Sequence, residues 1–119
     1  MNWYLAKIVF RIITGDGNHM PQFDEQLRLI LANDEDEAFE KAQQLGRDEE
    51  DSFINQRNQT VKWTFINIPE LNKLPSLSDG MEIYSKVNEY ENAKRFIDTV
   101  NQKAGNIGSA FFKKLGEAV

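Results

Sequence analysis

A chain of 119 residues and 13.8 kDa, 40% of them hydrophobic, is long enough for one packed core and too short for two. Its net charge of −5 counts against wrapping duplex nucleic acid through bulk charge, and the absence of Cys excludes disulfides, thiolate metal ligands and a Cys nucleophile. No run reaches the roughly 18 apolar residues of a membrane span and no signal-peptide pattern opens the chain, so the expected setting is the cytoplasm, away from membranes.

The stretch from Trp3 to Leu31 holds most of the β-branched and aromatic residues of the first half. Side chains alternate along an extended chain, so Tyr4, Ala6, Ile8, Phe10 and Ile12 share one side, read as the core face, while Trp3, Leu5, Lys7, Val9, Arg11 and Ile13 share the other. Thr14-Gly15-Asp16-Gly17-Asn18 ends this strand with residues suited to positive φ, and Pro21 delays the restart of pairing. A second strand begins at Phe23. Its Leu27, Leu29 and Leu31 are assigned to the core face, and Gln26, Arg28 and Ile30 to the opposite one. The two runs predict an antiparallel hairpin with a connection of about eight residues, longer than the usual two to five. The only histidine, His19, sits there near Asp16, Asn18 and Asp24, which makes these four a candidate polar site. One His without Cys or a second His is a poor metal signature, and Asp16-Gly17-Asn18 matches only part of a calcium loop. A surface loop that satisfies its own backbone is the favoured reading, and no metal or cofactor is assigned.

The opening W-Y-x-A-K-x-V-F-R-I-I-x-G-D-G-x-H-x-P-Q-F-D-E-Q-L-R-L-I resembles a group of small bacterial proteins known only as a domain of unknown function. The similarity runs on through Glu-Ala and Lys-Ala pairs, Val61-Lys62-Trp63 and Glu82-Ile83-Tyr84-Ser85-Lys86, covering the chain up to about Val87. The resemblance implies a bacterial, free-standing domain. It implies no activity, substrate or site residue.

Asn33-Asp34-Glu35-Asp36-Glu37 predicts a helix start, with a capping-box pairing of Asp34 and Glu37 and acids at the positive end of the helix dipole. Ala38, Phe39, Ala42 and Leu45 follow at helical spacing, and Gly46 reads as the C′ residue. Residues 47–51 read as a further helical turn or kinked extension anchored by Phe53 and Ile54. The acids Asp48, Glu49, Glu50 and Asp51 are a solvated run, because adjacent side chains diverge on a helix. Residues 55–59 form a polar turn, and the sequon match Asn58-Gln59-Thr60 has no secretory signal behind it. Val61, Trp63 and Phe65 mark a third strand ending near Pro69, and Leu71, Leu74 and Leu77 are expected under the sheet edge. A fourth strand is predicted over 81–87. A second helix, capped at Asn88 or Glu89, carries the stripe Ala93, Phe96, Ile97, Val100 and Ala104 until Gly105 and Gly108 break it, and 109–115 form an amphipathic tail.

This order, ββαββα, predicts an α+β fold: a four-stranded, mainly antiparallel sheet with two helices packed on one face. Residues 1–108 form one domain and 109–119 a short tail. The second sheet face would gather Lys7, Arg11, Arg28, Lys62 and Lys86 among Trp3, Leu5, Val9, Ile30, Ile66 and Tyr84. Three readings of that face stand open. It is a homodimer or protein-partner interface, a site for an anion or single-stranded nucleic acid with Trp3 or Tyr84 for stacking, or a surface covered by the second helix or tail. No P-loop, nucleotide-binding Gly-rich turn, Gly-x-Ser-x-Gly elbow or His-Glu-x-x-His is present, so no catalytic residue is assigned. A hydrolase built on His19 with Asp16 or Asp24 is the remote alternative to a non-enzymatic domain that acts through self-association or a protein partner.

Overall fold

The computed structural model describes residues 1–117, with side chains through Ser109. Two compact units divide it, the first of residues 1–83 and the second from residue 84 onward.

In the first unit, β1 (Asn2–Thr14) and β2 (Gln22–Ala32) form the expected antiparallel hairpin. Helix α1 (Glu35–Asp48) follows, then β3 (Asp51–Ile54) and β4 (Thr60–Lys73), giving the sheet order β2-β1-β4-β3 with every pairing antiparallel. With α2 (Ala93–Glu117) in the second unit, the element order is ββαββα and the class is α+β. One of the four strands is not the one predicted. Residues 81–87 form no strand, whereas the acidic stretch read as a helical extension supplies β3. The polar turn at 55–59 lets Asp51–Ile54 fold back on Thr60–Trp63, where Asn55 Oδ1 accepts from the Arg57 and Gln59 amides and Asn58 takes φ 61°. A four-residue strand with all side chains exposed leaves no alternation to read.

β4 runs through Pro69 instead of ending there. The register slips between the pairs Val9–Asn67 and Lys7–Glu70, so Pro69 lies in a bulge where its missing N–H breaks no regular ladder.

The core face of β1 holds Tyr4, Ala6, Ile8 and Phe10 as predicted, all buried. β2, however, contributes the opposite set of residues. Tyr4 faces Ile30, Ala6 faces Arg28, Ile8 faces Gln26 and Phe10 faces Asp24, so Ile30 and Ala32 join the core while Leu27, Leu29 and Leu31 lie on the far side. A shift of one residue moves a whole strand's side chains to the other face. Here the leucines outnumber the true core positions, and apolar content alone points the wrong way.

α1 packs its Ala38, Ala42 and Leu45 against this face. Asp34 caps it, accepting the Glu37 amide at 2.8 Å, while the Glu37 carboxylate accepts from the backbone and side chain of Asn33 at 3.3 and 3.0 Å. The helix does not stop at Gly46. It continues to Asp48, and Gly46 is buried against the Phe65 ring. Beyond β4, Leu74 is buried and its amide donates to the Trp3 carbonyl at 2.8 Å, but Leu77 stays half exposed.

In the second unit Asn92, not Asn88 or Glu89, caps α2, its Oδ1 accepting from the Arg95 amide at 3.0 Å. Tyr90 stacks on Phe96 at 4.2 Å between ring centres. α2 runs unbroken through Gly105 and Gly108, because a helical glycine costs about 1 kcal/mol and does not by itself end a helix. The amphipathic side chains predicted beyond Ser109 lie outside the described residues.

Candidate functional site

The sheet face opposite α1 is where the first unit differs from an ordinary two-layer domain. By the register, β1 places Trp3, Leu5, Lys7, Val9, Arg11 and Ile13 there, and β2 places Phe23, Glu25, Leu27, Leu29 and Leu31. Phe23 is 56% exposed, Leu27 44% and Leu29 48%. Three large apolar side chains at alternate or near-alternate positions of one strand thus meet solvent. Ile66 on β4 is also half exposed.

Of the predicted surface residues, β1 and β4 place Trp3, Lys7, Val9, Arg11 and Lys62 on this face. Arg28 lies on the α1 side with Ile30, contrary to the predicted parity. Tyr84 and Lys86 belong to the second unit and to no strand. Charge on the face is also more balanced than expected. The Lys7 ammonium lies 3.8 Å from Glu25 and 3.6 Å from Glu70, with its side chain only 15% exposed, so its charge is compensated from both neighbouring strands.

Arg28 instead ends a polar chain along the α1 side. Trp63 Nε1 donates to Asp24 Oδ2 (3.2 Å), Gln26 Nε2 donates to the same oxygen (2.6 Å), and Arg28 Nη1 donates to Gln26 Oε1 (3.1 Å). Arg28 also grips Glu49 with two bonds of 2.6 and 2.8 Å. Glu50 then accepts the Phe65 amide at 3.0 Å, beyond the reach of the short β3. The run read as a merely solvated acidic face therefore fastens the end of α1 to β2 and β4. Only the i, i+2, i+4 spacing of Asp24, Gln26 and Arg28 hints at this in the sequence.

The Arg28 hydrogen bonds hold the Glu49 carboxyl below the usual carboxylate range, and Glu49 in turn raises the Arg28 guanidinium further. Because the folded-state value of Glu49 is depressed, its stabilisation is fully present above the unfolded carboxylate range and is lost as pH falls through the lowered value. Arg28 stays protonated throughout. Both side chains are about one-third exposed, so the contribution is expected to be below about 1 kcal/mol. Denaturant melts of wild type and Glu49→Gln should differ at neutral pH and converge in acid. A gap that persists unchanged into acid would contradict the pairing.

The loop around His19 is closed on itself. His19 Nε2 accepts from the Thr14 amide at 3.0 Å, and Nδ1, 2.8 Å from the Met20 carbonyl, must be the protonated nitrogen because a carbonyl only accepts. Asp16 Oδ1 accepts the Asn18 amide at 3.0 Å, and Gly15 and Gly17 adopt φ of 62° and 82°. Asp24 is absent from this cluster, being part of the β2 polar chain. Both imidazole nitrogens are thus engaged by backbone. Among the described residues no group of three His, Asp or Glu side chains converges as a metal site, and no helix is long and apolar enough to cross a membrane.

No curated protein and no solved structure matches the chain. A family model, described as "Domain of unknown function (DUF4288)", matches residues 3–85. That span takes in all of the sheet but Asn2, α1 and the open face, and the chain belongs to this family.

Proposed function

We propose that this chain is a non-enzymatic interaction domain that self-associates, with the β2 side of the open sheet face in the contact. The observation that carries the reading is the row Phe23, Leu27 and Leu29, each 44% exposed or more. Large apolar side chains left exposed along one strand fit an interaction surface. The anion and single-strand reading is weaker, because Lys7 already lies between two carboxylates and leaves Arg11 and Lys62 as the face's other cations.

Light scattering over a concentration series tests the proposal on wild type and on Phe23→Lys with Leu29→Lys. Both positions are exposed, so the substitutions should leave the melting temperature nearly unchanged. Wild type should run as a dimer whose dissociation constant rises at least roughly tenfold in the variant. A wild-type monomer at every concentration would overturn self-association. Salt-sensitive binding of short single strands, abolished by Arg11→Glu, would establish the ligand reading in its place.

A further inference from the structure

The backbone of β2 carries information beyond its side chains. Across the pair Trp3–Leu31, the Trp3 carbonyl accepts from the Leu74 amide, on the β4 side, and the Leu31 carbonyl accepts from Lys41 Nζ at 2.8 Å. Neither carbonyl bonds across the pair, so Trp3–Leu31 is a non-hydrogen-bonded pair of the β1–β2 ladder. That ladder runs without a slip from Asn2–Ala32 to Ile12–Gln22. Since antiparallel pairs alternate, Leu29, Leu27, Glu25 and Phe23 also face β1 in non-hydrogen-bonded pairs, and their N–H and C=O groups point out of the sheet. β2 is the edge strand, and these groups meet no partner among the described residues.

Edge strands are ordinarily blunted by Pro, Lys, bulges or shortness. The opposite edge, β3, is four residues long. β2 has eleven residues, no Pro, no Lys and no bulge, and only its Leu31 end is closed, by Lys41.

We infer that β2 pairs antiparallel with β2 of a second copy about a twofold axis at Gln26, joining two sheets into one of eight strands. The inference rests on the self-association reading and specifies how the copies meet. A twofold contact must be self-complementary, and two features select this register. Centring on Gln26 sets Asp24 opposite Arg28 of the other copy, twice, on the α1 side, and Phe23 opposite Leu29 on the open side. It also matches the four residues whose outward N–H and C=O groups are both unpartnered only with one another, for about eight interchain hydrogen bonds. Centring on Leu27 would require the Leu31 carbonyl, which Lys41 occupies. Centring on Glu25 or on Arg28 would set like charges face to face.

Two variants of the full chain test this alongside wild type. Leu27→Pro removes an outward N–H and leaves the β1 ladder its bonds, so the fold should persist by circular dichroism while the dimer dissociation constant rises roughly a hundredfold or more. Gln26→Cys adds a single Cys to a chain that has none. Facing its own copy in a non-hydrogen-bonded pair, with Cα atoms about 4.5 Å apart, it should form an interchain disulfide on mild oxidation. Cross-linking together with a monomeric Leu27→Pro supports the inference. A wild-type dimer that Leu27→Pro leaves intact and Gln26→Cys fails to cross-link overturns the edge pairing while self-association stands. A wild-type monomer overturns both.

Discussion

Gly46→Ala should destabilise the first unit by about 1–3 kcal/mol, although the same change in a solvent-facing helix would gain about 1 kcal/mol. A methyl at this position would overlap the Phe65 ring, which is itself fixed edge-on against the buried Phe10 with 6.1 Å between centres. α1 would have to lift from the sheet or Phe65 leave its rotamer, and either movement loosens Ala38 and Ala42 as well. Each kcal/mol corresponds to roughly 4–8 °C in melting temperature for a unit of this size. Phe65→Leu should cost stability by itself and recover part of it when combined with Gly46→Ala, so the pair should be strongly non-additive. A Gly46→Ala protein that melts at or above wild type would show that helix and sheet do not approach this closely.

Lys7→Glu should cost about 2–3 kcal/mol, as a nearly buried cation is replaced by a third carboxylate between Glu25 and Glu70. The Lys7 side chain is only 15% exposed, so the new charge has little path to water. Lys7→Met, which keeps the stem and drops the charge, should cost under about 1 kcal/mol, because Glu25 and Glu70 are themselves well exposed. Urea denaturation of the two variants separates charge from packing. If both lose the same stability, the carboxylates do not matter. For the same reason, charge reversal at Lys7 is a poor probe of self-association. The exposed pair Phe23 and Leu29 is the appropriate place to perturb it.

Much of the local structure was legible because it is decided within a few residues. The alternation in β1, the cap at Asp34 and the turns at Gly15–Asn18 and Asn55–Gln59 each depend on short-range sterics or on hydrogen bonds between near neighbours. The candidate surface was legible in part, through β1, where Trp3, Lys7, Val9 and Arg11 share a parity independent of any partner. It was misassigned through β2, where a row of leucines outweighed Ile30 and Ala32, and at residues 81–87, whose alternation meets no partner strand.

By itself, then, the sequence determined β1, β2, α1, the body of β4 and α2 and the absence of the common catalytic motifs, since periodicity, capping and turn chemistry are properties of contiguous residues. The ββαββα order holds with β3 in place of the strand predicted over 81–87. Tertiary structure alone decided which side of β2 is inside, that Gly46 serves contact and not helix termination, and that Lys7 and Arg28 are both neutralised, on opposite faces. The physical reason is that register, close approach and ion pairing are set between segments distant in the chain. There, one residue of slip exchanges buried for exposed without altering any local preference.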